Sequence, residues 1–304
     1  MDVLVTGGAG FIGSHLTESL LAAGHRVTVL DSFANSKRES VPKGAKLVEW
    51  DVSSAPEPGM LDGIETVFHL AADPDVKGSA LRPRENFVIN AAGTFNMLEA
   101  CRKSGVKSFV FTSSSVVYGE AKVQPTPEDY PPSPISNYAA GKLAGEAYCM
   151  SYSHTYGIKS TVLRLANIFG ERSTHGVMFD FYKKLKERPS RLEILGNGKQ
   201  SKSYLHVSDC VSGMLVAFEM QKSQSVVFNI GSKEKHTVDE IAQTLSLELG
   251  CSPQLVHQGG ARGWAGDVPE MLLSTSKLES LGWKPKIAFG EGVRRYAAWL
   301  KKHY

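Results

Sequence analysis

Residues 1–16 read MDVLVTGGAGFIGSHL: an apolar strand, a glycine-rich turn and the start of an amphipathic helix that runs to about Ala23. Gly7, Gly10 and Gly13 recur with two residues between them, and Gly8-Gly10-Gly13 also satisfies the G-x-G-x-x-G spacing. A strand that turns so tightly into a helix has no room for Cβ atoms beside a pyrophosphate, whose charge rests on the free N–H groups of the helix N-terminus. A second apolar run, RVTVLD, ends in Asp31, 18 residues after Gly13. That is near the spacing of the carboxylate that binds a ribose 2′-hydroxyl, and a carboxylate there repels a 2′-phosphate. The stretch therefore predicts a dinucleotide site that favours NAD over NADP, although Lys37 and Arg38 lie close enough in sequence to accommodate a phosphate.

The same alternation continues outward. KLVEWD, TVFHLA, SFVFTSS and STVLRLA follow as apolar runs, with helical patterns between several of them. Buried strands alternating with helices predict an α/β fold with a doubly wound parallel sheet of the Rossmann type. The later chain is mixed. LEILGNGKQSKSYLHV reads as a hairpin through Asn197-Gly198, VVFNIGS as a strand, and Thr237 with Glu240 as a capping box. GEGVRRYAAWLKKH places Val293, Ala297 and Leu300 on one side of a last helix. The expected division is a dinucleotide-binding domain over 1–166 and a smaller mixed α/β lobe over 167–304, interleaved with the first.

Composition narrows the classes. The 304 residues are 42% hydrophobic, enough for a full core, and carry a formal net charge of +3 with basic residues dispersed, which argues against a nucleic-acid binder. The four cysteines stand far apart without a CxxC, and no histidine belongs to an HExxH, so neither a disulfide framework nor a metal site is expected. His69 and His206 read as strand residues satisfied by hydrogen bonds, and His206 could also line the substrate lobe. The start lacks a basic segment before a long apolar one, and no apolar run reaches 18 residues, so the expectation is a cytoplasmic protein without membrane spans.

The chemistry is expected at SSSVVYG and SNYAAGKLAGE. FVFTSSSVVYG closes an apolar strand in a hydroxyl cluster, and strand carboxyl ends are where open α/β sheets bind ligands. Tyr138 and Lys142 sit one helical turn apart, so a phenol and an ammonium can approach one substrate together. With 10 tyrosines and 22 lysines in the chain, about one such pair arises by chance, and Tyr182 and Lys186 form another. That pair lies in VMFDFYKKLKE among Phe179, Phe181 and Leu185, where a packing tyrosine and a solvated lysine are expected. A helix following a proline-rich loop of about 20 residues brings the Tyr138/Lys142 face back over the strand end beside Ser114.

Taken with GGAGFIG, DSFANSKRESV, HLAA, NAAGT, SSSVVYG, YAAGK, LRLANIFG, SYLHVSD, GDVPEM and LGWKP, the chain resembles the extended short-chain dehydrogenase/reductases, and among them the UDP-glucose 4-epimerases of galactose metabolism. The resemblance places Ser114, Tyr138 and Lys142 in the catalytic positions. It assigns NAD to Gly7, Gly10, Phe11, Ile12, Gly13, Asp31, Asn35, Ser36, Asp51, Val52, Leu70, Ala71, Ala72 and Asn90, together with Tyr138 and Lys142. It assigns the diphosphate of a UDP-hexose to Asn167, Lys202 and Arg262, with Ser114 on the sugar's 4-oxygen. In that mechanism tyrosinate takes the 4-hydroxyl proton while hydride leaves carbon 4, the 4-keto sugar swings about its diphosphate, and hydride returns to the other face. Free tyrosine titrates near 10, so the expectation is that Lys142 and oxidised nicotinamide make the phenol acidic. A homodimer across the helices bearing Asn90–Lys103 and Tyr138–Tyr152 is also implied.

Three neighbouring activities compete. A 4,6-dehydratase typically carries an acidic pair before VYG, where this chain has Ser113-Ser114-Ser115-Val116-Val117. An epimerase of UDP-N-acetylhexosamine or UDP-uronate differs only in the sugar pocket. A non-catalytic NAD sensor would be marked by loss of the tyrosine or lysine, and both are present.

Overall fold

A computed structural model describes residues 1–264 and 266–304. Its strands are β1 Asp2–Thr6, β2 Arg26–Asp31, β3 Lys46–Glu49, β4 Thr66–His69, β5 Ser108–Ser114, β6 Lys159–Leu165, β7 Asn167–Phe169, β8 Arg191–Ile194, β9 Ser201–His206, β10 Ser225–Ile230, β11 Lys235–Thr237, β12 Gln254–His257 and β13 Glu270–Met271. Its α-helices are α1 Phe11–Ala22, α2 Pro83–Phe87, α3 Gly93–Ser104, α4 Asn137–Tyr156, α5 Val177–Glu187, α6 Val207–Met220, α7 Val238–Leu249, α8 Ser276–Glu279 and α9 Phe289–His303.

The chain forms two compact units. The first comprises Met1–Gly119, Pro131–Arg164 and Met214–Phe228; the second comprises Glu120–Tyr130, Leu165–Gly213 and Asn229–Tyr304. The first is organised by a seven-stranded sheet in the order β10-β6-β5-β4-β1-β2-β3, with β5-β4, β4-β1, β1-β2 and β2-β3 all parallel. Burial explains why the apolar runs read as they do. All four residues of β4 and six of the seven in β5 are buried, as strands covered on both faces must be, whereas the edge strand β3 is partly exposed. The order reverses on either side of β1 and β4, and their carboxyl ends open where ligands bind in such sheets. Between α2 and α3 lies one π-helical turn, Val88–Ala92, which carries Asn90.

In the second unit β9 pairs with β7 and β13 in parallel and with β11 antiparallel, and β8 pairs in parallel with β12. The expected hairpin from β8 to β9 is not formed. Asn197 and Gly198 do make a turn: Asn197 Oδ1 accepts the Lys199 N–H at 3.0 Å, and Gly196 and Gly198 have φ of +76° and +75°. Leu195 and Gly196 before it, and Lys199 and Gln200 after it, lengthen the connection beyond a two-residue loop, so the strands diverge into different sheets. The capping box is present, with the Thr237 side chain accepting from Glu240 N at 3.1 Å and Glu240 Oε2 accepting from Thr237 N at 2.8 Å. Val293, Ala297 and Leu300 of α9 are buried in the core of this unit.

Candidate active site

The glycine turn is built by close approach of backbone. Gly7 has φ of +67°, and a Cβ there would lie 2.9 Å from Ala71 N; a Cβ on Gly13 would lie 2.1 Å from Gly7 O. Packing therefore explains those two. At Gly10, the N-cap of α1, a Cβ would stand a tight 3.1 Å from Gly7 O, and no side chain caps the helix. The first turn, which includes Phe11 and Ile12, carries no acidic residue, so the positive end of the helix dipole suits an anion. Asp31 is buried beside this turn. Its carboxylate accepts from Ala9 N at 3.0 Å, Phe33 N at 2.9 Å and Ser36 Oγ at 2.8 Å, so this carboxylate and the glycine turn are fixed to one another. The residues fit a dinucleotide. Arg38 pairs with Glu49 and lies 4.9 Å over the Phe33 ring, so its charge already has a partner.

Of the remaining expected cofactor residues, Asn35 follows β2, Asp51 and Val52 follow β3, Leu70, Ala71 and Ala72 follow β4, and Asn90 lies on the π-helical turn. Leu70 N and Ala71 N both donate to Thr6 Oγ1 at 3.1 Å, and Ala72 follows them in the chain. Val52 is buried against Gly93, where a Cβ would stand 2.9 Å from Val52 Cγ2. Asp51 is exposed and accepts from Ser53 N at 2.8 Å; Asn35 is exposed. Asn90 brackets Asp73, accepting from its N–H at 3.0 Å and donating to its carbonyl at 3.1 Å. His69 holds this end rigid. Thr94 donates to Asn90 O at 2.7 Å, so it accepts from His69 Nε2 at 3.2 Å, and His69 Nδ1 then accepts from Thr6 at 2.8 Å. Burial, aided by Lys142, pushes the imidazole down to about 3, consistent with this neutral tautomer.

Three consecutive residues of β5 meet α4 at one-turn intervals. The Ser114 hydroxyl is hydrogen-bonded to the Tyr138 phenol, Thr112 O accepts from Lys142 Nζ at 2.9 Å, and Ser113 Oγ donates to Glu146 at 2.5 Å. Two glycines permit this approach: a Cβ on Gly141 would lie 3.0 Å from Asn90 Cβ, and one on Gly145 would lie 2.5 Å from the Phe111 ring. Ser136 caps α4, accepting from Ala139 N at 3.2 Å, and Tyr138 N donates to Ser79 Oγ at 3.3 Å, which ties the helix start to the loop after β4. Lys142 Nζ stands 5.1 Å over the Phe111 ring and 5.9 Å over the Tyr138 ring.

Burial raises Tyr138 to about 12, Ser114 opposes the rise and the Asp73 carboxylate adds to it. Burial also brings Lys142 down to about 8, against the opposing pull of the Glu146 carboxylate. Desolvation thus disfavours the charged form of each group, and the positive charge of an oxidised nicotinamide would act on the phenol in the opposite direction.

Tyr182 lies in the core of the second unit with its hydroxyl donating to Leu300 O at 3.2 Å, and Lys186 donates to Tyr304 O. That pair faces structure, not substrate. Asn167, Lys202 and Arg262 share this unit. Asn167 pairs in register with Tyr204, two residues along β9 from Lys202, and its amide nitrogen is buried without a partner. Lys202 Nζ is 2.6 Å from Asp267 Oδ1; Arg262 donates to Asp267 O at 2.9 Å and to Glu120 Oε1 at 2.7 Å. Both cations are thus drawn to the same aspartate. His206 is buried, with Nδ1 accepting from Ser208 N at 3.3 Å and Nε2 3.1 Å from Glu171.

Asp73 and Glu146 escaped the sequence reading, whereas His69 is satisfied by hydrogen bonds as expected, through Thr6 and Thr94. Glu146 stood at the end of the quoted SNYAAGKLAGE, four residues past Lys142, and its partner Arg164 is a lone charge inside STVLRLA; each was a visible signal. Asp73 gave none, since its burial depends on Asn86 and Asn90, residues 13 and 17 positions away.

Residues 3–231 match the NAD dependent epimerase/dehydratase family. The UDP-glucose 4-epimerase of Mycolicibacterium smegmatis is 33% identical over 97% of this chain and 97% of its own length. Among solved structures, the Thermus thermophilus UDP-glucose 4-epimerase complex with NAD is 35% identical, covers 100% of both chains and superposes with a TM-score of 0.89. The Bacillus cereus UDP-glucuronic acid 4-epimerase, in complex with UDP-glucuronic acid and NAD, is 28% identical with a TM-score of 0.91 over 100% of both chains. No described helix is long and apolar enough to cross a membrane.

Proposed function

The chain belongs to the NAD dependent epimerase/dehydratase family, and from that premise we propose that it interconverts UDP-galactose and UDP-glucose by transient oxidation at carbon 4. The observation that carries this reading is the alignment of Ser114, Tyr138 and Lys142 along one strand end and one helix face. Bound NAD would supply the hydride acceptor and donor for carbon 4 and, when oxidised, a positive charge. It is held by the glycine turn, Asp31 and the residues around Asn90.

The chain's own residues do the rest. Tyr138 receives the proton of the sugar's 4-hydroxyl and gives it back after the 4-keto sugar has turned over. Ser114 orients the 4-oxygen through the hydroxyl that now meets the phenol. Lys142, fixed on Thr112 O, supplies a buried cation next to the tyrosine ring. Asn167, Lys202 and Arg262 are assigned to the diphosphate; the unpartnered Asn167 amide supports this, and the two cations would exchange Asp267 and Glu120 for phosphate oxygens. The run Ser113–Val117 offers no carboxylate to expel water from carbon 6, which favours epimerisation over dehydration.

We also propose a homodimer through α3 and α4, where Phe95, Tyr148 and Tyr156 are 38%, 41% and 51% exposed, in the cytoplasm. Incubation with UDP-galactose and NAD tests the function. UDP-glucose without net NADH is expected; an alkali-absorbing enone would indicate a dehydratase, turnover of UDP-glucuronic acid alone a uronate epimerase, and no turnover of any nucleotide sugar a sensor. Each of the last three overturns the proposal.

A further inference from the structure

We propose that the buried Glu146–Arg164 pair is a positioning device that fixes α4 in register on β5 and so places Tyr138 and Lys142. The inference rests on the epimerase reading for its kinetic test, but not for its geometry. Glu146 is the third member of the series that starts at Tyr138: residues 138, 142 and 146 lie one turn apart, and each bonds to one of the consecutive residues 112–114. Of the three, only Glu146 reaches past β5 to the neighbouring strand. Its carboxylate accepts from Arg164 Nε at 3.0 and 3.2 Å and from Arg164 Nη2 at 2.7 Å, and the guanidinium carbon lies 4.6 Å over the Tyr118 ring. Both side chains are almost wholly buried, 2% and 4% exposed.

Such a pair is not explained by stability. Taking two charges out of water costs about as much as their attraction returns, and apolar residues of the same volume pack as well or better. What the pair adds is direction. Gly145 lets α4 come close to the end of the Phe111 ring, an apolar contact without the directionality of a hydrogen bond. The carboxylate accepts a hydroxyl from β5 and a planar fork from β6 in fixed directions, so a shift of about 1.5 Å along the helix, the rise of one residue, would break every bond at once. The same shift would carry Lys142 off Thr112 O and Tyr138 off Ser114. The titratable and charged groups around Lys142 are Tyr138, Glu146 and Cys149 on its own helix, His69 on β4 and Arg164 on β6. Lys142 reaches a neutral carbonyl of β5, whereas Glu146 joins the helix to a charged partner on the sheet.

The test replaces both partners, E146L/R164M, which removes the charges without stranding either one. If the pair positions the catalytic face, the folded variant keeps its melting temperature and its KM for nucleotide sugar within twofold, while kcat falls at least tenfold. NAD affinity by calorimetry falls at least fivefold. A folded variant whose kcat and NAD affinity stay within threefold of the parent overturns the proposal, since the pair would then serve the fold alone. If the double variant does not fold, R164K carries the same readings, because it keeps a cation but loses the fork. The calorimetric reading needs no turnover: a parent that binds NAD yet converts no nucleotide sugar refutes the epimerase reading and leaves this one to be decided by NAD affinity.

Discussion

Replacing Gly13 by alanine sets a methyl carbon 2.1 Å from Gly7 O, 2.8 Å from Gly7 C and 2.9 Å from Gly8 Cα, all of them backbone. Ordinary contact begins near 3.5 Å, so the helix start and the turn must separate by about 1 Å or more. No rotamer change relieves this. The turn is held by bonds of 3.0 Å from Gly10 N to Gly7 O and from Ser14 N to Gly10 O, which would stretch or break. An N–H bonded to a pyrophosphate oxygen at about 2.9 Å would be drawn beyond about 3.5 Å, where little of the interaction survives. Each bond to a charged group contributes roughly 1.5–3 kcal/mol, so losing two costs about 3–6 kcal/mol, or at least two orders of magnitude in NAD affinity. Overpacking removes about 1–3 kcal/mol of stability in addition. Gly24→Ala is the matched control: its φ is +82° but nothing lies within 4 Å of the added carbon. It should cost about 1–2 kcal/mol of stability and leave NAD binding unchanged. Calorimetric titration with NAD, alongside thermal melts, separates the two. NAD affinity of Gly13→Ala within threefold of the parent would refute the argument from close approach.

Tyr138→Phe should lower kcat by about two to four orders of magnitude in the UDP-galactose assay, the range of a lost proton-transfer group. Tyr182→Phe should leave kcat unchanged while removing about 1 kcal/mol of stability in urea unfolding, because it forfeits one buried bond to Leu300 O; comparable kinetic losses from both would mean the wrong pair was chosen. His69 gives a pH signature. Its ring takes up a proton near 6.5 in the unfolded chain but only at about 3 in the folded one, so its contribution is full above 6.5 and declines as pH falls through that window. The decline is about 1.4 kcal/mol per unit, or about 2 kcal/mol by pH 5, and His69→Gln should flatten the urea midpoint against pH by one proton between 6.5 and 4. Phe95→Asp should convert a dimer to monomers in sedimentation, whereas an unchanged mass would move the contact away from α3 and α4.

What the sequence disclosed depended on how local the cause was. β1, α1 and β2 were legible because each is specified by its own periodicity and by glycines whose reason lies within a few residues. The capping box at Thr237 was legible for the same reason. The Asn197-Gly198 turn was visible, but its strands' partners were not, since β8 is matched by β12 about 60 residues later and β9 by three strands from elsewhere. Tyr138 and Tyr182 were separable only by context, one after a hydroxyl-rich strand end and one among aromatics. Glu146 was within the quoted motif, yet its meaning required Arg164 on a strand whose neighbour in the sheet cannot be read from spacing.

The protonation of Tyr138 follows from the same long-range packing. Burial that places the phenol against Ser114 also raises it to about 12, and burial that locks Lys142 on Thr112 O brings the ammonium down to about 8. Near neutrality the chain by itself thus presents a neutral acid beside a cation that is close to losing its proton. A positive charge placed within a few ångströms lowers such a phenol. A unit charge about 6 Å away, at an effective dielectric constant of about 20, contributes roughly 3 kcal/mol, or about two pKa units. A cation beside Tyr138 would therefore act against both burial and the Asp73 carboxylate, which push the phenol the other way.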